Sequence, residues 1–167
     1  MLSIGGLGKS SKGNFVQSSV EFNRVGWYDT KDLQEISNFA NMSLPRWGHS
    51  CTVLPTQNYS ILVTGGTKDF GLNGLKDTEM FNWETNTWMK TENMNIGRFG
   101  HALVTIGDKI YAVGGDDKNP SSLLDTIEEY DVMSNSWKVM KKKLDVPRAN
   151  FGYTLVPHSQ FDGCKIL

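Results

Sequence analysis

Three arginines, two histidines and a pair of aspartates are the residues whose types and spacing suggest chemistry. Arg46, Arg98 and Arg148 stand 52 and then 50 residues apart. His49 and His101 each follow an arginine by three positions, in "RWGHS" and "RFGHA". Two imidazoles can hold a metal or move protons. These two occupy the same place in two copies of one phrase, so a shared structural duty explains them more simply. Asp116-Asp117 offers oxygen ligands, but a hard-cation site needs about six converging oxygens, and a solvated loop pair is expected. "GLGKS" at 6–10 ends like a phosphate-binding loop, yet Ser3 stands where the pattern needs a glycine, and no helix-forming run follows. No Ser/His/Asp set stands out. The expectation is no catalytic residue, no metal and no cofactor.

The elements that position these residues are repeated. "LVTGG" (62–66) and "YAVGG" (111–115) each end an apolar run on a glycine pair, and a tryptophan follows the first glycine by 23 residues: Gly65 to Trp88, Gly114 to Trp137. Laid over each other, Gly66 falls on Gly115, Glu79 on Glu128, Phe81 on Tyr130 and Asn82 on Asp131. A third copy, "DVPRANFGYTLV" (145–156), keeps Arg148 but has Phe151 where the histidines stood. Each unit reads as four short strands divided by turn residues: 48–54, 60–65, 77–83 and 86–91, then 100–105, 109–114, 126–132 and 135–140. "TNTW" and "SNSW" mark tight hairpins before the last strand, because Asn tolerates turn dihedrals. Lys141-Lys142-Lys143 reads as a solvated turn after the second full unit. The first unit departs from the pattern. It supplies Gly5-Gly6, and Phe22 is the favoured aromatic, with Tyr28 as the alternative; no tryptophan follows at the expected spacing.

Bulk properties bound the function. The 17 glycines among 167 residues are spread through the chain and read as turn chemistry. A net charge of −1 gives no electrostatic footprint for nucleic acid or an anionic membrane. No run reaches the length of a membrane span. Cys51 and Cys164 lie far apart and form no metal-type pair, so buried thiols in a reducing, cytoplasmic setting are expected.

A period near 50 with four strands, a glycine pair, an aromatic and a tryptophan at fixed offsets resembles the kelch repeat, the blade unit of one class of β-propeller. The residues carrying the resemblance are Gly65, Gly66, Phe81, Trp88, Gly114, Gly115, Tyr130 and Trp137, with the arginine–glycine–histidine phrases at Arg46 and Arg98. It implies an all-β chain of four-stranded antiparallel sheets forming an incomplete ring of about three blades. The divisions are a partial first blade (1–44), a second (45–94), a third (95–144) and the start of a further blade (145–167). The glycine pair ends a strand where a Cβ would obstruct the backbone. The tryptophan fills the wedge between blades and is expected to seal its blade against the next.

The resemblance also implies a function: a protein–protein interaction module. Its partner face would be the loops 67–76 and 116–124 with the lead-in segments near 45–47, 97–99 and 147–150. These carry Arg46, Trp47, Lys68, Asp69, Phe70, Arg98, Phe99, Asp116, Asp117, Lys118, Asn119, Arg148 and Asn150. Arginine forks suit an acidic peptide, or they bind carbonyls of their own blade; both readings stand at this point. Kelch proteins include substrate receptors of ubiquitin ligases and actin binders. The galactose-oxidase-like enzymes of this fold use a residue set that does not map onto this chain. Three blades are fewer than the usual four to eight, so the chain reads as an arc of a longer propeller; if it is only three blades, self-association is expected.

Overall fold

In a computed structural model, the structure describes residues 2–4, 25–28, 35–36, 39–54, 60–68, 73–118, 120 and 122–155. Eleven strands are present among them: β1 (Leu2–Ile4), β2 (Val25–Tyr28), β3 (Glu35–Ile36), β4 (Ser50–Leu54), β5 (Ser60–Thr64), β6 (Thr78–Asn82), β7 (Thr87–Lys90), β8 (Ala102–Ile106), β9 (Lys109–Val113), β10 (Thr126–Asp131) and β11 (Ser136–Lys143). They form two four-stranded antiparallel meanders, β4-β5-β6-β7 and β8-β9-β10-β11, and a three-stranded sheet, β1-β2-β3. This is an incomplete propeller of kelch-type blades.

The turns are where the sequence puts them. Asn86 and Asn135 adopt left-handed backbone, with φ of 53° and 48°, in the hairpins before β7 and β11. The Asn82 side-chain oxygen accepts from the amides of Glu84 and Thr85, and an Asp131 oxygen accepts from those of Met133 and Ser134. The Asn82/Asp131 match is therefore one of turn chemistry: either side chain folds the backbone over itself.

Strand alternation divides each blade into two faces. In the second blade, Ile61, Val63 and Phe81 pack with Met42 toward the segment arriving from the first blade. Leu54 and Leu62 face the other way and join Leu103, Ile110, Ala112, Tyr130 and Trp137 of the third blade. The two sheets approach through their first strands: the Ser50 hydroxyl donates to the His101 carbonyl, and the hydroxyls of Thr52 and Thr105 meet at 2.7 Å.

The tryptophans seal the opposite boundary from the one expected. Trp88 Nε1 donates to the Ala40 carbonyl at 2.7 Å, and Trp137 Nε1 to the Glu92 carbonyl at 3.0 Å. Each ring thus holds down the chain arriving from the preceding blade. The cause is register: Trp88 lies opposite Phe81 and Trp137 opposite Tyr130, on the faces those aromatics share with the preceding segment. Their ring centroids are 5.2 and 4.9 Å apart.

Three further expectations change. In the first sheet, Ile4 pairs with Val25 as Val113 pairs with Ile127, which places Tyr28 at the position of Tyr130. Tyr28 pairs with Glu35, the position of Trp137. The alternative alignment of the first unit is the observed one; Phe22, Gly5 and Gly6 lie outside the described residues. Lys141, Lys142 and Lys143 are not a turn but the end of β11, where Lys143 reaches Asp125. Cys51 is exposed, not buried, since it falls on an outward position of β4; Cys164 lies outside the described residues.

Candidate functional site: the glycine-pair rim

The glycine pairs, the lead-in loops and the loops that follow the pairs meet at one rim. Gly65 and Gly114 have φ of +63° and +62°. A Cβ on Gly65 would lie 2.3 Å from the Arg98 carbonyl oxygen, and one on Gly114 2.6 Å from that of Arg148. The second glycine of each pair uses this closeness. Gly66 N donates to the Arg98 carbonyl and Gly115 N to the Arg148 carbonyl. Each blade is thereby stitched to the lead-in loop of the next.

The arginines are internal struts. Arg46 Nη1 donates to the carbonyls of Gly65 and Asp77, both at 2.9 Å, and Nη2 meets Glu79 Oε1 at 2.5 Å. Arg98 repeats the arrangement one blade on, with the carbonyls of Gly114 and Thr126 and with Glu128 Oε1 at 2.8 Å. Arg46 and Arg98 are 0% exposed. Burial pulls the pKa of both guanidinium groups below the ordinary value, and the facing glutamate opposes that pull. The carboxylates are fully used: Glu79 also accepts from Ser43 N, and Glu128 from the amides of Asn95 and Ile96. The partner-gripping reading is corrected for Arg46 and Arg98, because nothing outside the blade can reach them. Glu79 and Glu128 carry the site, and sequence reasoning assigns them no role; their identical offset from the glycine pairs is the signal that could have found them.

Arg148 holds the same backbone position, yet its guanidinium is exposed and its Nε donates only locally, to the Val146 carbonyl. Asn150 continues a backbone chain along the rim: Gly100 N donates to the Gly48 carbonyl, and Asn150 N to the Gly100 carbonyl, both at 2.7 Å. All three have positive φ, which glycine and asparagine adopt at least cost.

The remaining candidates separate. Trp47 bridges Thr67 and Phe99 bridges Asp116 through paired backbone hydrogen bonds. Their rings stand 6.2 Å apart, both half-buried and outside the two core clusters. Asp116 is 7% exposed, and its Oδ1 accepts from the amides of Ser122 and Lys118, so it folds its own loop and is neither a solvated carboxylate nor a partner contact. Asp117 is half-buried, and its carbonyl accepts from Gly74 N. Lys68 and Lys118 are exposed, and Lys118 pairs through its backbone with Asn73 of the neighbouring loop. Asp69, Phe70 and Asn119 lie outside the described residues.

His101 does no proton chemistry near neutrality. It is 6% exposed, its Nε2 lies 2.8 Å from the Thr64 hydroxyl, and burial, then the Arg98 charge, then His49 push its pKa down to about 3. Among the described residues no group of three or more potential metal ligands converges. No helix among them is long and apolar enough to cross a membrane.

Comparison with known proteins agrees with this architecture. Residues 48–95 and 97–143 match the Kelch motif. The chain is 29% identical over 140 residues to alpha-scruin of Limulus polyphemus, covering 81% of this chain and 14% of that protein. It is 34% identical over 88 residues to human Kelch-like protein 6, covering 53% and 13%. It is 39% identical over 66 residues to Kelch-like protein 7 of Rattus norvegicus, covering 40% and 11%. The chain therefore spans a small part of each of these relatives.

Proposed function

This chain belongs to the kelch-repeat family, and on that premise we propose that it is a non-catalytic binding module that takes a segment of a partner protein on the glycine-pair rim. The observation that carries this reading is the Trp47–Phe99 pair, two half-buried rings 6.2 Å apart on successive lead-in loops. Aromatics in such positions anchor interfaces, because they bury much area at low entropic cost. The backbone on both sides of each ring is fixed by paired hydrogen bonds, so the surface is preorganised. Among the described residues, Lys68, Lys76, Lys118 and Arg148 are the exposed cations of these loops and lead-in segments. They favour a partner segment that presents carboxylates beside an apolar side chain. Such a module serves as a substrate receptor when joined to a ubiquitin-ligase adaptor, and the rim is the part this chain would contribute.

A displayed-peptide selection against the wild-type chain tests the reading. Enriched peptides are expected to combine acidic and apolar residues. Their binding is expected to fall at least tenfold in Trp47→Ala/Phe99→Ala and in Lys118→Glu, and to be unchanged in Val139→Ala on the outer strand β11. Peptides that bind the rim variants as tightly as wild type overturn it.

A further inference from the structure

The two loops that follow the glycine pairs are joined to each other. Gly74 N donates to the Asp117 carbonyl at 2.7 Å, and Asn73 forms an antiparallel bridge with Lys118. One residue on, Leu75 N donates to the Gly66 carbonyl, and the Leu75 carbonyl accepts from Arg98 N. Packing demands glycine at 74. A Cβ there would stand 2.6 Å from Arg98 N, and one on Gly97 would stand 2.2 Å from the Gly74 carbonyl oxygen. The third blade has no such crossing. Leu124 N donates to the Gly115 carbonyl as Leu75 N does to that of Gly66, which sets Leu123 in the place of Gly74. Pro147 precedes Arg148 where Gly97 precedes Arg98.

The residue before this obligatory glycine is an exposed asparagine, and 73–74 is the only Asn-Gly step in the sequence. Such a step is where a backbone amide most readily attacks the side chain before it, because glycine has no Cβ to hinder the approach. The Gly74 nitrogen bonds to Asn73 Cγ and gives up its proton, ammonia leaves, and a five-membered succinimide forms. Water then opens one of the two ring carbonyls, leaving aspartate or isoaspartate at 73. No oxidant, reductant or enzyme is required. In the folded rim, the N–H of the attacking nitrogen is engaged by the Asp117 carbonyl. Reaction therefore waits on local opening between the two loops. Asp116 sets how often that occurs, because its Oδ1 accepts from the amides of Lys118 and Ser122 and so holds the second loop in shape.

We propose that Asn73 is a site of spontaneous deamidation controlled by the contact between the two loops, and that its conversion unlocks that contact and weakens the rim's hold on an acidic partner. The last consequence rests on the binding reading above; the modification and the unlocking do not. Isoaspartate adds a methylene to the main chain beside Gly74, where Arg98 and Gly97 leave no room. The Gly74 to Asp117 hydrogen bond is then lost. Either product also places a carboxylate opposite Lys118, and the cross-strand pair that results takes that cation away from a partner.

Peptide mapping by mass spectrometry, near neutral pH, follows residue 73 in the native chain and in the same chain held unfolded in urea. The native chain is expected to convert at Asn73 several times more slowly than the unfolded one, and faster there than at any other described asparagine. Asp116→Ala is expected to bring the native rate toward the unfolded rate, and Asp116→Asn to leave it near wild type, since an amide oxygen accepts the same two bonds. Equal rates in native and unfolded chain, no native conversion at Asn73 over many half-times of the unfolded reaction, or an Asp116→Ala rate like wild type each overturn the proposal. Hydrogen exchange of the separated isoaspartate form is expected to be faster at the Gly74 and Arg98 amides; unchanged exchange there overturns the unlocking. That form and Asn73→Asp are expected to bind the selected rim peptides several-fold more weakly, and equal binding overturns the last consequence. Failure of the binding reading shows differently, as a wild-type chain that selects no rim-dependent peptide, while mapping and exchange still decide the site.

Discussion

Arg98 and Glu128 meet at 2.8 Å with neither side chain exposed, and their pair fixes the loop leading into the third blade to β10, the third strand of that blade. The guanidinium also caps the carbonyl of Gly114, where the backbone is left-handed. One side chain therefore satisfies a left-handed turn and a buried carboxylate together.

Removing one member of this pair strands a buried charge. Glu128→Ala is expected to destabilise the chain by about 3–5 kcal/mol in urea titration. The double variant Glu128→Ala/Arg98→Met is expected to lose less than the sum of the single losses, because the orphaned charge goes with its partner. Additive losses would mean that the two side chains act separately.

His101 gives a pH dependence whose sign is fixed by burial. Its pKa falls from an ordinary 6.5 to about 3 on folding, so the unfolded chain takes up the proton first as pH drops. The neutral ring's contribution is complete above about pH 6.5 and is lost progressively toward pH 3, at a limiting slope of about 1.4 kcal/mol per pH unit. The third repeat carries Phe151 at this position. His101→Phe is expected to flatten the acid limb of stability relative to wild type, measured by denaturant midpoints between pH 7 and about 4. An unchanged limb would show that His101 is protonated in the fold.

The glycine pairs admit no side chain. Gly65→Ala would place a Cβ 2.3 Å from a backbone oxygen at positive φ, and is expected to cost several kcal/mol or prevent folding. Gly107 has φ of +61°, and a Cβ there would meet nothing within 4 Å, so Gly107→Asn is expected to change stability by less than about 1 kcal/mol. Thermal melts of the two variants separate steric closeness from backbone conformation.

Trp137→Ala is expected to destabilise by about 3–5 kcal/mol, and Trp88→Ala by a comparable or smaller amount, since Trp137 is the more buried. Trp47→Ala, on the rim, is expected to cost several times less. Equal small losses at all three positions would contradict the blade-sealing role of the outer tryptophans.

The four-stranded units and their hairpin turns are legible in the sequence, because these follow from local pattern: alternation, glycine pairs, and the Asn residues before Thr87 and Ser136. Arg46 and Arg98 stay open between two roles at that level, because the choice depends on Glu79 and Glu128 arriving across three strands. Asp116 reads as a solvated carboxylate for the same reason: its amide partners, Ser122 among them, become near neighbours only once the loop is folded. Phe22 displaces Tyr28 in the sequence reading because the first unit lacks the tryptophan that sets the offset elsewhere. The direction in which Trp88 and Trp137 seal is not readable, since spacing along the chain does not say which face of a strand meets which neighbour.

That direction sets an order of events during synthesis. Ala40 is held by Trp88, and Glu92 by Trp137, each about one repeat later in the chain. The segment leaving a blade stays untied until the ribosome has made nearly all of the following one. The cooperative folding unit is therefore offset from the sequence repeat. A translational pause that helps this chain would come only once a tryptophan-bearing strand, Thr87–Lys90 or Ser136–Lys143, has been made.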